Sequence, residues 1–106
     1  MGSYRFLLDE RLGIELPQLD LEWELYTPEE QSEILMRWEL IRGRIPDRIA
    51  ALEEEIRRKQ ERLNEEEHFP TTCRLNAEIA ELASRINDLN LWYRVNQTVQ
   101  ERAAHM

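Results

Sequence analysis

Cysteine is nearly missing from this sequence. Cys73 is the only one, which excludes an intramolecular disulfide framework and every CxxC metal or redox motif, and makes a reducing, cytoplasmic setting the simpler expectation. Glycine and proline are scarce too. Three Gly and four Pro are too few for an all-β chain that turns every ~10 residues. Positive charge is in deficit: 14 Lys and Arg stand against 22 Asp and Glu, for a net charge of −8. A nucleic-acid binder needs surplus base to displace counterions, so direct contact with nucleic acid is not expected. No apolar run approaches the ~20 residues of a membrane span. The opening MGSYRFLLDERLG carries acids after only a short apolar patch and does not read as a signal peptide. Nucleotide-binding glycine loops and the GxSxG elbow are also missing.

What is present is one domain's worth of chain. Its 106 residues are 42% hydrophobic, enough to build a core. Charge divides it in two. Residues 1–36 hold two bases against nine acids, and residues 37–106 hold twelve against thirteen. The acidity is therefore an N-terminal property, and we read residues 1–26 as an acidic arm and residues 27–106 as a helical domain.

Within the arm, LDLEWEL (residues 19–25) alternates Leu19, Leu21, Trp23 and Leu25 with acids, the period of a half-buried strand. Pro17 and Pro28 bracket it. YRFLL is a candidate second strand, with DERLG as the turn between. The other readings are an extended arm without a partner strand, or a short helix over residues 18–26. In the first two, the apolar face packs on the helices beside Trp38.

Helical signals begin at Thr27-Pro28-Glu29-Glu30, where Thr27 and Glu30 have capping-box spacing and Pro28 suits the first helical position. Ile34, Trp38, Ile41 and Ile45 follow at steps of four, three and four. The next apolar residue, Ile49, is again four away, a stutter that falls across Pro46. Gly43 and Pro46 suggest two helices, 27–43 and 46–67, joined by a tight corner; one kinked helix is the alternative. Glu53–Arg57, Glu54–Arg58 and Glu55–Lys59 are acid-before-base pairs that support the second helix. EEEHFP stops it, with Thr71 or Thr72 capping a third helix over 72–101 that carries Leu75, Ile79, Leu82, Ile86 and Leu89. A short linker folds the last two back on each other. The expected fold is mainly α: an antiparallel, coiled-coil-like helical hairpin with a preceding helix and an N-terminal extended arm or short β-hairpin, assembled as a dimeric helical bundle.

Chemistry-bearing residues are sparse. Glu65 and His68 form one ExxH step, which di-metal carboxylate bundles use twice, so they are weak metal ligands and no cofactor is expected. Cys73 sits at a predicted helix start, where thiols are acidified, without an oxyanion hole or a third catalytic group in view. Arg37, Arg42, Arg44 and Arg48 surround the corner and suit either phosphate or the acidic N-terminal third (residues 1–36) of the same or a neighbouring chain, pairing within the chain being the simpler. Trp23, Trp38, Trp92 and Tyr93 exceed what one helical seam can cover, and Asn96 falls near a seam position where a buried Asn fixes register. These five are the expected interface of a homodimer. The leading functional expectation is a non-enzymatic protein–protein interaction module, a small regulator or adaptor that self-associates and binds an unidentified protein. An acidic mimic of nucleic acid and a metal-dependent enzyme using Glu65 and His68 are the alternatives.

Overall fold

The structure, a computed structural model, describes residues 3–95. It is mainly helical, with a two-strand antiparallel hairpin ahead of a long bent helix and a third helix folded back along it.

The hairpin pairs β1 (Tyr4–Asp9) with β2 (Ile14–Leu19), Asp9 lying opposite Ile14 and Tyr4 opposite Leu19. Its turn is set by local chemistry. Asp9 accepts from the Leu12 amide at 2.9 Å through its carboxylate and from the Gly13 amide at 2.7 Å through its carbonyl. Gly13 closes the turn at φ +75°, a left-handed angle that glycine adopts without a Cβ clash. DERLG is thus the turn, as the sequence suggests. The second strand is displaced from the alternating segment: it is IELPQL, not LDLEWEL. The turn fixes which residues can face β1, and pairing ends with the Asp20 amide on the Ser3 carbonyl at 2.9 Å. Residues beyond that have no strand to join. Trp23–Leu25 instead forms a 3₁₀ turn. Pro17 is tolerated inside β2 because both strands of a two-stranded ribbon are edges.

α1 spans Pro28–Arg42 and opens on a complete capping box. The Glu30 amide donates to Thr27 Oγ1 at 3.1 Å, and the Thr27 amide to Glu30 Oε1 at 2.9 Å. α2 spans Ile45–Glu65. Between them, Gly43 and Arg44 keep right-handed helical angles. The expected corner between separate helices is therefore a bend in one long helical run. The Gly43 amide still reaches Glu39 at 3.0 Å, the Arg44 amide tightens onto Ile41 at 3.0 Å, and Pro46 has no amide to give.

α3 spans Phe69–Tyr93 and begins earlier than expected. Pro70 lies in its first turn, where a missing N–H costs nothing, and neither Thr71 nor Thr72 is the cap. His68 takes that position, and its carbonyl receives the Thr72 amide at 3.0 Å. At ~1.5 Å per residue, the 25 residues of α3 outrun the 21 of α2. The excess passes the bend and packs on α1, where Trp92 meets Trp38 edge-on with centroids 5.8 Å apart.

One core joins these parts. Ile34, Trp38 and Ile41 of α1, Ile45 and Leu52 of α2, and Leu82 and Leu89 of α3 surround Phe6, Leu12, Ile14 and Tyr26. Tyr26 is the junction residue. Its hydroxyl donates to the Ser3 carbonyl and accepts from the Leu21 amide at 3.2 Å, while its ring meets Tyr4 edge-on at 6.0 Å. The molecule is long, 59 × 26 × 18 Å. Its radius of gyration of 18.3 Å exceeds the ~13 Å of a compact chain of ~100 residues.

Candidate functional site

The bend carries most of the chain's unusual side-chain chemistry, because the hairpin, α1, α2 and the end of α3 all meet there. Among the described residues, the four arginines expected to pair with the acidic N-terminal third make no ion pair with its carboxylates. Arg37 lies 4.5 Å from the Phe6 ring centroid and Arg42 lies 4.4 Å from that of Tyr93, both cation–π geometries. Arg48 donates through Nε to the Leu12 carbonyl at 3.0 Å. These three are structural pins. Arg44 is exposed, and its guanidinium makes no ion pair among the described residues.

The acid–base contacts that do form run from the hairpin turn to α3 and across the helical seam. Arg11 reaches Glu81 at 2.8 Å, Asp88 at 2.7 Å and Ser84 Oγ at 2.8 Å. Those hydrogen bonds raise the Arg11 pKa and hold Glu81 below the usual carboxylate range, with Arg85 adding to the effect on Glu81. Lys59 reaches across to Glu78 at 2.9 Å instead of pairing with Glu55, and it lowers the Glu78 pKa. Glu54 takes both Arg57 and Arg58. Glu78 and Glu81 border an open groove of about 310 Å³ between α2 and α3. The ion pairs at its rim tie α2 to α3 through Lys59 and Glu78, and the β-hairpin turn to α3 through Arg11 and Glu81.

At the hairpin tip, the structure turns His68 toward Thr71: Nδ1 and Oγ1 are 2.9 Å apart, and the His68 amide donates to Glu66. Glu65 ends α2, and Cys73 is exposed in the second turn of α3. Among the described residues no three His, Cys, Asp or Glu side chains gather where they could hold a metal ion. No described helix is long and apolar enough to cross a membrane.

The aromatic residues expected at a dimer interface lie in and around the chain's own core. Trp38 is 3% exposed, and Trp23 and Trp92 are half-buried against it. Tyr93 is more open, at 39%, beneath Arg42. Asn96 lies outside the described residues. Leu19 and Trp23 do border a small apolar cleft of about 70 Å³ beside Trp38. Leu21 and Leu25 turn outward, so the arm docks by part of the face expected of it.

The unsatisfied surface is elsewhere. α1 buries Ile34, Trp38 and Ile41 on one side yet exposes Met36 at 63% and Leu40 at 68% on the other. The hairpin covers one flank of α1, through Phe6 under Arg37, and α3 the other, through Tyr93 under Arg42. The outward face between those flanks is open. Sequence reading missed Met36 and Leu40 because attention to the seam spacing passed over the residues between its steps. No family model matches this chain, and no curated protein or solved structure matches it.

Proposed function

We propose that this chain is a non-enzymatic protein–protein interaction module that self-associates. One observation carries the reading: α1 exposes two large apolar residues, Met36 and Leu40, on the side opposite its buried face of Ile34, Trp38 and Ile41. Neighbouring exposed apolar side chains that the chain's own core does not use favour a contact with another surface. The elongated shape supports the same reading, since a narrow molecule leaves little thickness in which to hide apolar residues. Sedimentation equilibrium of the full chain from about 1 µM to about 1 mM tests it directly. Concentration-dependent dimerisation is the expected result. A monomer throughout that range refutes self-association.

A second reading draws on different residues. Asp20, Glu22 and Glu24 are exposed and make no ion pair among the described residues. They would serve an acidic mimic that occupies a DNA- or RNA-binding protein. Such binding weakens steeply as salt rises, because exposed charges are screened within ~3–10 Å between 1 and 0.1 M salt. Binding to a basic partner that is insensitive to salt overturns this alternative.

A further inference from the structure

The outward face of α1 has an order of charge that selects its occupant. Glu29 and Glu33 lie on this face in the first half of the helix and Arg44 lies just beyond its end, while Arg37 and Arg42 stand at the flanks over the Phe6 and Tyr93 rings. Glu39 is paired with Arg42 at 3.5 Å. Met36 and Leu40 lie between Glu33 and Arg44, one turn apart on the same face. A second α1 laid parallel would set acid on acid and base on base. Laid antiparallel, it sets Glu33 near Arg44 at both ends and Met36 on Leu40 twice in the middle. A two-fold axis repeats every contact, which is the condition for a closed dimer.

We infer that the outward face of α1 is a homodimer interface in which two α1 helices pack antiparallel about a two-fold axis midway between Met36 and Leu40, Met36 of each protomer on Leu40 of the other and Glu33 of each facing Arg44 of the other. The inference rests on the self-association proposed above and names its surface and geometry. It gives Arg44, alone among the bend arginines in having no described partner, a carboxylate. One helix from each protomer buries less than the ~1,200 Å² of a stable interface. The dimer is therefore weak and forms with rising concentration.

Charge exchange between chains tests this geometry. Sedimentation equilibrium is run on the wild type, Leu40→Glu, Glu33→Arg, Arg44→Glu and an equimolar mixture of the last two. The altered residues are exposed, and far-UV circular dichroism spectra with wild-type helix content will confirm that each variant folds. Leu40→Glu should weaken dimerisation at least about tenfold. Each charge variant should also weaken it, since the Glu33→Arg homodimer sets Arg on Arg and the Arg44→Glu homodimer sets Glu on Glu. The mixture should restore it, because both opposing pairs in the mixed dimer are again acid on base. A wild-type dimer that ignores Leu40→Glu and gains nothing in the mixture overturns the α1 interface while leaving self-association standing. A wild type that stays monomeric to about 1 mM overturns both.

Discussion

Replacing Gly13 with alanine separates two opposite expectations. In an unstrained site, Gly→Ala stabilises a protein by about 0.4–1 kcal/mol, through the unfolded chain. Gly13 is not such a site. Its φ of +75° places a Cβ in the left-handed region, at a cost of about 1–2 kcal/mol. The new Cβ would also lie 2.7 Å from Arg48 Nε and 2.9 Å from Cζ. The guanidinium can move, but it then gives up its bond to the Leu12 carbonyl, and a hydrogen bond from a charged donor contributes about 1.5–3 kcal/mol. The three terms together predict a net loss of about 2–4 kcal/mol. Gly43→Ala is the internal comparison. Gly43 has φ −63° and room for a Cβ, its nearest neighbour being the Glu39 carbonyl at 3.5 Å. Alanine there should stabilise by about 0.5–1 kcal/mol. Urea unfolding of both variants, followed by tryptophan fluorescence at one protein concentration, gives the two signs. A Gly13→Ala protein as stable as the wild type would refute the turn geometry and the Arg48 contact together.

Other perturbations reach different parts of the fold. Leu89 is fully buried where α3 meets the core, so Leu89→Ala should cost about 2–5 kcal/mol in urea titration. Trp23 is only half-buried, its ring 6.3 Å from that of Tyr26. Trp23→Ala should therefore cost about 1–2 kcal/mol, short of the ~3–5 of a fully buried ring. Glu54, Glu78 and Glu81 are held below the ordinary carboxylate range by Arg57, Lys59 and Arg11 respectively. A depressed carboxylate pKa stabilises the fold above the unfolded value of ~4.3 and loses that contribution as pH falls through the folded value. Thermal melts should thus drop below about pH 4, and Arg11→Ala should lower the melt at neutral pH while flattening its acid dependence. An Arg11→Ala melt that matches the wild type at every pH would show that the Arg11 contacts with Glu81 and Asp88 add nothing to stability.

The helices were legible because their signals are local. Thr27, Pro28 and Glu30 specify a capping box within four residues, and the structure contains it. The stutter from Ile45 to Ile49 marks the bend, since an extra residue in the stripe must be absorbed where Pro46 already breaks the bonding. Pro70 was ambiguous for a physical reason: a proline stops one helix and starts another with the same missing N–H, and sequence does not say which. The strand error has a different origin. LDLEWEL has the cleaner alternation, yet strand formation needs a partner as well as a period. The partner's register was decided by Asp9 and Gly13, several residues upstream. IELPQL, with its period broken at Pro17, was the segment left facing β1.

The same distinction explains why the expected interface residues and the open surface differ. Counting large aromatics against the area of one helical seam assumes that nothing else covers them. Here the hairpin and the overshooting end of α3 supply that cover, so Trp38 takes Trp92 on one side and borders a cleft with Leu19 and Trp23 on another. Long-range packing of this kind leaves no trace in the spacing of α1 itself. Met36 and Leu40 leave a trace of the opposite sort. They stand where the seam's own rhythm calls for polar residues, and the flanking helix surface is charged. An apolar pair that local folding does not need is a stronger pointer to association than a tryptophan that local folding can bury. We therefore place the proposed contact on the outward face of α1 and not on the aromatic ring cluster, with Glu33 and Arg44 at opposite ends of that face as the charges that make it complementary to itself.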